Sequence, residues 1–405
     1  MTIALFSDSY FPTKSGVVTV VVQLREQLIK LGHKVLLITV ETTEDYNSDD
    51  PLVYQVKSKP LGLGTDQFIG IPFLPHLVKF IKENNVDLIH CHTEFGIGAA
   101  AIYCSKRLHI PAICTTHTMW TEFYKYYIPF AKLISPRFVT KFMKTFYKRF
   151  NALIAVSTKA RNYTKNKKML PKMPSVVIPN AIDSTKFAQT HLTTREKQKI
   201  RKQYGIKSKD VVLLFLGRIA EEKRVFELLK ICKQIVKQCD NCKVLFVGNG
   251  PAYNSLMNMS SKEIGEGKII FTGFVEWQKV HNFYEMADIF ITASLSEMHS
   301  MTILEAQLSS LPIVVRDDES YYDCIFNGQN GFLCKTDEEM QEKIIKLIYD
   351  ENKRKEFGAK SLEITKNFTI ENYMKKTLYV YEQVIKKYPA KINDTQLMTE
   401  LEKFK

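Results

Sequence analysis

The sequence has no apolar run long enough to span a bilayer. The residues MTIALFSDSYFP carry no basic stretch and meet Asp8 early, so they are expected to form a buried first strand and not a signal peptide. The expectation is a cytoplasmic chain. No segment is low-complexity, which excludes a disordered class. Zinc-site spacing is missing too: among eight cysteines, Cys239 and Cys242 form a C-x-x-C without a second pair or neighbouring histidine. Cys91, Cys104, Cys114 and Cys334 sit in apolar stretches, so all eight are expected to be structural thiols. The most unusual absence is of acid: from Phe123 to Ile182 there is no Asp or Glu, against 13 Lys and Arg.

That gap skews the charge. Of the formal net charge of +14, residues 1–182 carry +11 and the remainder only +3. A basic field of this kind suits a polyanionic partner, either nucleic acid or an anionic lipid surface.

At 405 residues the chain is long for one core, and two domains are expected. Short β-branched runs alternate with helical spacing: IALFS (3–7), KVLLITV (34–40), VDLIHCH (86–92), AICTTH (112–117), ALIAVS (152–157) and SVVIP (175–179). The pattern restarts with VVLLFLG (211–217), KVLFVGNG (243–250), KIIFTG (268–273), DIFITAS (288–294) and PIVVRD (312–317). This implies an α/β protein of two doubly wound parallel sheets facing across a cleft. The expected domains are 1–180, 181–370 and a helical tail, 371–405, able to cross back to the first domain.

Chemistry-bearing residues gather where those strands end. Gly16 follows strand one in Lys14-Ser15-Gly16, where backbone amides at a helix start can approach an anion, although an ordinary helix cap reads the same. Arg218 and Lys223 follow the first strand of the second half and can grip a diphosphate, one as a planar fork and one as a point charge; a surface charge cluster is the alternative. Gly248, in GNGP, opens a helix and permits close nucleotide approach or is simply a turn. Glu297 and Glu305 lie eight residues apart, just over two helical turns and so on roughly the same side of the helix, and carboxylates accept from sugar hydroxyls; Glu297 also reads as a first-turn capping acid. His90, His92, Glu94 and His117 close two successive strands; H-x-H allows a metal, but further ligands are not evident and alternation makes one a core histidine.

Together these residues resemble glycosyltransferase family 4, a retaining GT-B family. The resemblance runs over nearly the whole chain in FSDSYFPTKSGVV (6–18), VIPNAIDSTKF (177–187), GRIAEEK (217–223), GNGP (248–251) and the E-x7-E of Glu297 and Glu305. It implies that Arg218 and Lys223 bind the donor diphosphate, with Gly16 and Gly248 lining it. It also implies that Glu305 takes the ribose hydroxyls and that Glu297, with the amides of Ser300, Met301 and Thr302, holds the transferred sugar. His117 would sit beside the anomeric carbon. No metal or other cofactor is implied, in keeping with the missing D-x-D, and no nucleophile suggests itself, so front-face transfer is expected. Ser300 and Ala181 depart from the family, which usually has glycine at both places.

Within the family, HCHTEFGIG (90–98) and THTMWTEFYKYY (116–127) are most similar to bacterial diacylglycerol glucosyl- and galactosyltransferases. That likeness implies a UDP-sugar donor, a lipid acceptor and action at the inner face of the cell membrane. The basic stretch has its own reading: from Arg137 to Phe150 apolar residues recur at helical spacing, including Phe138, Phe142 and Phe146, beside Arg137, Lys141, Lys144, Lys148 and Arg149. Such a helix suits an anionic interface, or packs its aromatic face on the core. Other acceptors compatible with the family are phosphatidylinositol, a polyprenyl-linked or cell-wall glycan, and a small soluble sugar. A nucleic-acid binder would leave the donor residues unexplained, and no nucleic-acid module is recognisable.

Overall fold

The structure is a computed structural model. It describes every residue except 12, 14, 42–47, 61–67, 129, 130, 184–191 and 405, and the side chains of 127, 132 and 277. Lys14 and the end of the 177–187 motif therefore lie outside the described residues. The chain forms two compact units, residues 1–180 with 371–405, and residues 181–370.

The first unit is built on a parallel sheet ordered β3-β2-β1-β6-β7-β8-β9. Its strands are β1 (Thr2–Phe6), β2 (Lys34–Val40), β3 (Val53–Val56), β6 (Leu88–Cys91), β7 (Ala112–Thr116), β8 (Ala152–Ala155) and β9 (Ser175–Val177). A separate antiparallel pair is formed by β4 (Ser58–Pro60) and β5 (Phe68–Gly70). Helices α1 (Gly16–Lys30), α2 (Leu74–Glu83), α3 (Gly96–Leu108), α4 (Trp120–Tyr127), α5 (Pro136–Tyr147) and α6 (Thr158–Lys165) connect the strands.

The second unit holds a parallel sheet ordered β12-β11-β10-β13-β14-β15. Its strands are β10 (Val211–Leu216), β11 (Cys242–Val247), β12 (Ile269–Gly273), β13 (Ile289–Thr292), β14 (Ile313–Arg316) and β15 (Gly331–Cys334). Its helices are α7 (Thr194–Gln203), α8 (Val225–Gln238), α9 (Tyr253–Met259), α10 (Ser261–Gly265), α11 (Trp277–Met286), α12 (Met301–Leu308), α13 (Asp337–Tyr349) and α14 (Glu351–Thr365). Central strands such as β1, β6, β7, β10 and β13 are buried almost throughout, because helices cover both faces of a doubly wound sheet.

Helices α15 (Ile370–Lys387) and α16 (Asp394–Leu401) belong to the first unit. The hydroxyl of Tyr381 lies 2.7 Å from His90 Nδ1. Lys165 Nζ donates to the Asp394 carboxylate at 2.8 Å, fastening α16 beside β9. Among the described residues no helix is long and apolar enough to cross a membrane.

Candidate active-site residues

In the second unit β10 ends at Leu216 and the chain turns through Gly217. The Gly217 amide donates to Val247 and the Ile219 amide to Asn249, so the turns after β10 and β11 are laced together. Gly248 has φ +132°, and a Cβ there would lie 2.0 Å from the Gly217 carbonyl oxygen. Backbone approach alone thus requires glycine at 248. Beyond this lacing Arg218 lies 3.8 Å from the buried Glu222 carboxylate. Lys223 ends a short 3-10 helix, Glu221–Lys223, and its Nζ donates to Glu297 Oε1 at 2.7 Å.

Glu297 stands in the loop between β13 and α12. Ser300 takes an extended conformation as N-cap, but its hydroxyl meets Thr302 Oγ1 at 3.0 Å and caps no amide of α12. A helix start without a side-chain cap keeps its amides available to an anion. Glu305, one turn into α12, is buried and accepts from the Tyr284 hydroxyl at 2.6 Å. Burial pushes its carboxyl up to about 7, against the pull of the Tyr284 bond.

In the first unit the loops after β1, β6 and β7 converge on buried polar groups. Asp8 accepts from the amides of Gly70 and Ile97 and from the Thr93 hydroxyl, which joins the loop after β1 to the start of α3. His90 is a satisfied core histidine: Tyr381 meets one ring nitrogen and Thr115 Oγ1 the other, each at 2.7 Å. His92 Nδ1 lies 3.2 Å from His117 Nε2, with the two rings stacked. Burial pushes His90 down to about 3, His117 to about 4 and His92 well below the ordinary imidazole range, so all three are neutral at pH 7. Among the described residues no group of three or more His, Cys, Asp and Glu is placed to hold a metal.

Helix α5 starts at Ser135, whose hydroxyl accepts from the Phe138 amide, with Pro136 in its first turn. One face, Val139, Met143, Phe146 and Tyr147, is buried. The other leaves Phe138 63% and Phe142 43% exposed, with Leu133 just upstream 85% exposed. Arg137, Lys141, Lys144, Lys148 and Arg149 are all exposed around them.

Comparison with known proteins decides what this architecture belongs to. Residues 14–186 match the sequence model described as Glycosyltransferase Family 4, and residues 196–363 match Glycosyl transferases group 1. The chain is 30% identical to the alpha-monoglucosyldiacylglycerol synthase of Acholeplasma laidlawii, with 97% of this chain and 100% of the relative covered. The chain belongs to glycosyltransferase family 4. It is also 29% identical to the alpha-monoglucosyldiacylglycerol synthase of Streptococcus pneumoniae, over 86% of this chain and 78% of that one. Among solved structures, Anabaena Alr3699/HepE in complex with UDP and glucose superposes with a TM-score of 0.75 at 16% identity, covering 94% of this chain and 99% of that one. Sucrose-phosphate synthase from Thermosynechococcus elongatus gives the same TM-score, also at 16% identity, over 95% and 99%. The fold is GT-B, and this family 4 enzyme is a hexosyltransferase.

Within this family 4 enzyme, Lys223 and Glu297 meet, Arg218 and Gly248 share the laced turns, and Ser300, Met301 and Thr302 open the helix that carries Glu305. Gly16 is exposed at the start of α1, which Ser15 caps by accepting from the Val18 amide. Two expectations need correction. Glu297 and Glu305 do not share a helix face, because the extended Ser300 delays the helix to Met301 and leaves Glu297 in the preceding loop. Phe146 does not stand with the exposed aromatics: it is buried, and a Cβ at Gly98 would come within 2.9 Å of its ring, so that glycine makes the notch that receives it.

Sequence reasoning passed over Asp8, Tyr284 and the partners of Glu94. Glu94 is buried and accepts from Trp120 Nε1 at 2.8 Å and from the Tyr147 hydroxyl at 2.7 Å. The available signal was a lone carboxylate between the end of β6 and the apolar start of α3.

Proposed function

We propose that this enzyme moves a hexose from UDP-glucose or UDP-galactose to diacylglycerol, with retention, at the inner face of an anionic cell membrane. The product is an α-monoglycosyl-diacylglycerol. The observation that carries the reading is α5, with Phe138 and Phe142 exposed among five cations, on a chain whose full-length relative is named an alpha-monoglucosyldiacylglycerol synthase.

In this reading Arg218 and Lys223 bind the diphosphate and meet the charge that builds on the β-phosphate as the glycosyl bond breaks. The open amides at Ser300, Met301 and Thr302 add to that field, and Gly16 and Gly248 let backbone approach the phosphates. Glu297 holds the sugar hydroxyls, Glu305 the ribose hydroxyls, and a neutral His117 meets the sugar beside the anomeric carbon. The set calls for no metal or cofactor besides the donor. Support for a UDP donor comes from Alr3699/HepE, whose structures contain UDP, glucose or UDP-glucose. The partners expected are the donor, the lipid and the anionic surface, not nucleic acid.

The test is to incubate the enzyme separately with UDP-glucose, UDP-galactose and GDP-mannose, each with diacylglycerol in anionic vesicles, and to analyse the lipid extract by mass spectrometry. A hexosyl-diacylglycerol is expected in a UDP-sugar tube, and less of it in neutral vesicles. UDP binding without any lipid product would overturn the acceptor.

The ribose role of Glu305 has a separate check. Glu305→Ala is expected to weaken UDP binding about 10–100-fold, the worth of hydrogen bonds to a charged group. Glu305→Gln keeps an acceptor for Tyr284 and adds a stability signature. The folded carboxyl titrates near 7, above its ordinary 4.5. Its contribution is thus full below pH 4.5 and is lost as pH rises through 7, about 3 kcal/mol in all. Between pH 6 and 8 the wild type should lose more melting temperature than Glu305→Gln. Parallel melting curves with unchanged UDP affinity would remove the assignment.

A further inference from the structure

Two rungs join the loop after β6 to the loop after β7. His92 meets His117 at 3.2 Å, and two residues on Glu94 accepts from Trp120, three residues past His117. The other Glu94 oxygen accepts from Tyr147 in the last turn of α5. Phe95 packs edge-on against the Trp120 ring, with centroids 4.6 Å apart. A single carboxyl therefore connects the end of β6, the segment carrying His117, and the helix whose opposite face exposes Phe138 and Phe142. Glu94 is too buried to meet a substrate. An apolar residue would fill its place at lower desolvation cost but could not accept from an indole and a phenol together.

We propose that Glu94 is a positioning residue of the transfer reaction: it clasps the His117 loop to α5 and so fixes where the imidazole stands. The inference rests on the reading of His117 as the residue beside the sugar. Either protonation state can hold the clasp. A neutral carboxyl accepts from Trp120 and donates to the Tyr147 oxygen, and a glutamine amide does the same. Burial pushes Glu94 up to about 7. Of the groups around it, Tyr147 and Cys114 are held far above their ordinary values and Tyr163 at about 12, so they stay protonated, while buried Asp8 is raised above the usual carboxylate range.

The test uses Glu94→Leu, Glu94→Gln and Tyr147→Phe in the full chain. The sequence has two tryptophans, so a Trp277→Phe background leaves Trp120 as the sole emitter. Glu94→Leu is expected to lower kcat about 10²-fold, the effect of misplacing a group by about 1 Å, with donor KM unchanged. Glu94→Gln restores most of that loss. Tyr147→Phe, which removes one arm only, lowers kcat less and serves if Glu94→Leu does not fold. Trp120 emission should shift as pH passes about 7 and cease to do so in Glu94→Gln. Normal kcat in the folded leucine and phenylalanine variants overturns the proposal, as does a glutamine variant as slow as the leucine one. His117→Ala separates the two readings. A fully active His117→Ala discards the role of His117 itself, whereas an inactive one beside an active Glu94→Leu discards only the clasp.

Discussion

Replacing Lys223 with alanine should lower kcat by about 10²–10³-fold, the usual effect of losing one preorganised group aimed at developing charge. Lys223 is three-quarters buried at the end of the 3-10 helix after β10, and its ammonium donates to Glu297 at 2.7 Å. Arg224 turns left-handed at φ +52° and pairs with Asp337, and Arg218 lies against Glu222. The contact with Glu297 makes the result informative, because Lys223 could act only by holding that carboxylate. Glu297→Gln and the double variant decide this. If Lys223 binds the diphosphate itself, Lys223→Ala weakens UDP affinity and Glu297→Gln does not, since UDP lacks the sugar. If Lys223 merely holds Glu297, the double variant is no slower than Glu297→Gln and UDP affinity stays intact. A Lys223→Ala enzyme with near-normal kcat would contradict the leaving-group role outright.

Much of the frame was legible because a doubly wound sheet writes its strands plainly. Residues 35–40, 211–216 and 242–247 are buried almost throughout, and the chain marks them with largely apolar runs. Of the four edge strands of the two main sheets, β9 and β12 were read from their apolar runs, and β3 and β15 were not. β3 is mostly half-buried VYQV, β15 is a four-residue GFLC, and the β4–β5 pair has only three residues in each strand. The motifs named residues at the strand ends but not their partners. Lys223 meets a carboxylate 74 positions away, and Glu94 takes its donors from 26 and 53 positions away. Such pairings come from the order in which parallel strands lie side by side, which local spacing does not encode. Helical periodicity has the same limit in α5. It marks Phe138, Phe142 and Phe146 alike, whereas the fold buries Phe146 against Gly98 and leaves the other two exposed.

That separation makes α5 testable on its own. Converting Lys141, Lys144 and Lys148 to glutamate should weaken partition onto anionic vesicles by at least about 10²-fold. Each lysine near such a surface is worth about 1 kcal/mol, so three sum to about 3 kcal/mol before any repulsion from the new acids. All three are exposed, while Val139, Met143, Phe146 and Tyr147 hold the helix to the core, so melting temperature should barely change. UDP affinity should be untouched, because Arg218, Lys223 and Glu305 belong to the other unit. Phe138→Ser with Phe142→Ser probes the apolar half of the same face. Its loss of binding should persist in high salt, whereas the lysine contribution fades as salt screens the surface. Vesicle binding that survives both sets of changes would make α5 an ordinary solvated helix and move the membrane contact elsewhere. Loss of vesicle and UDP binding together would instead mean that the chain had misfolded, and circular dichroism would show it.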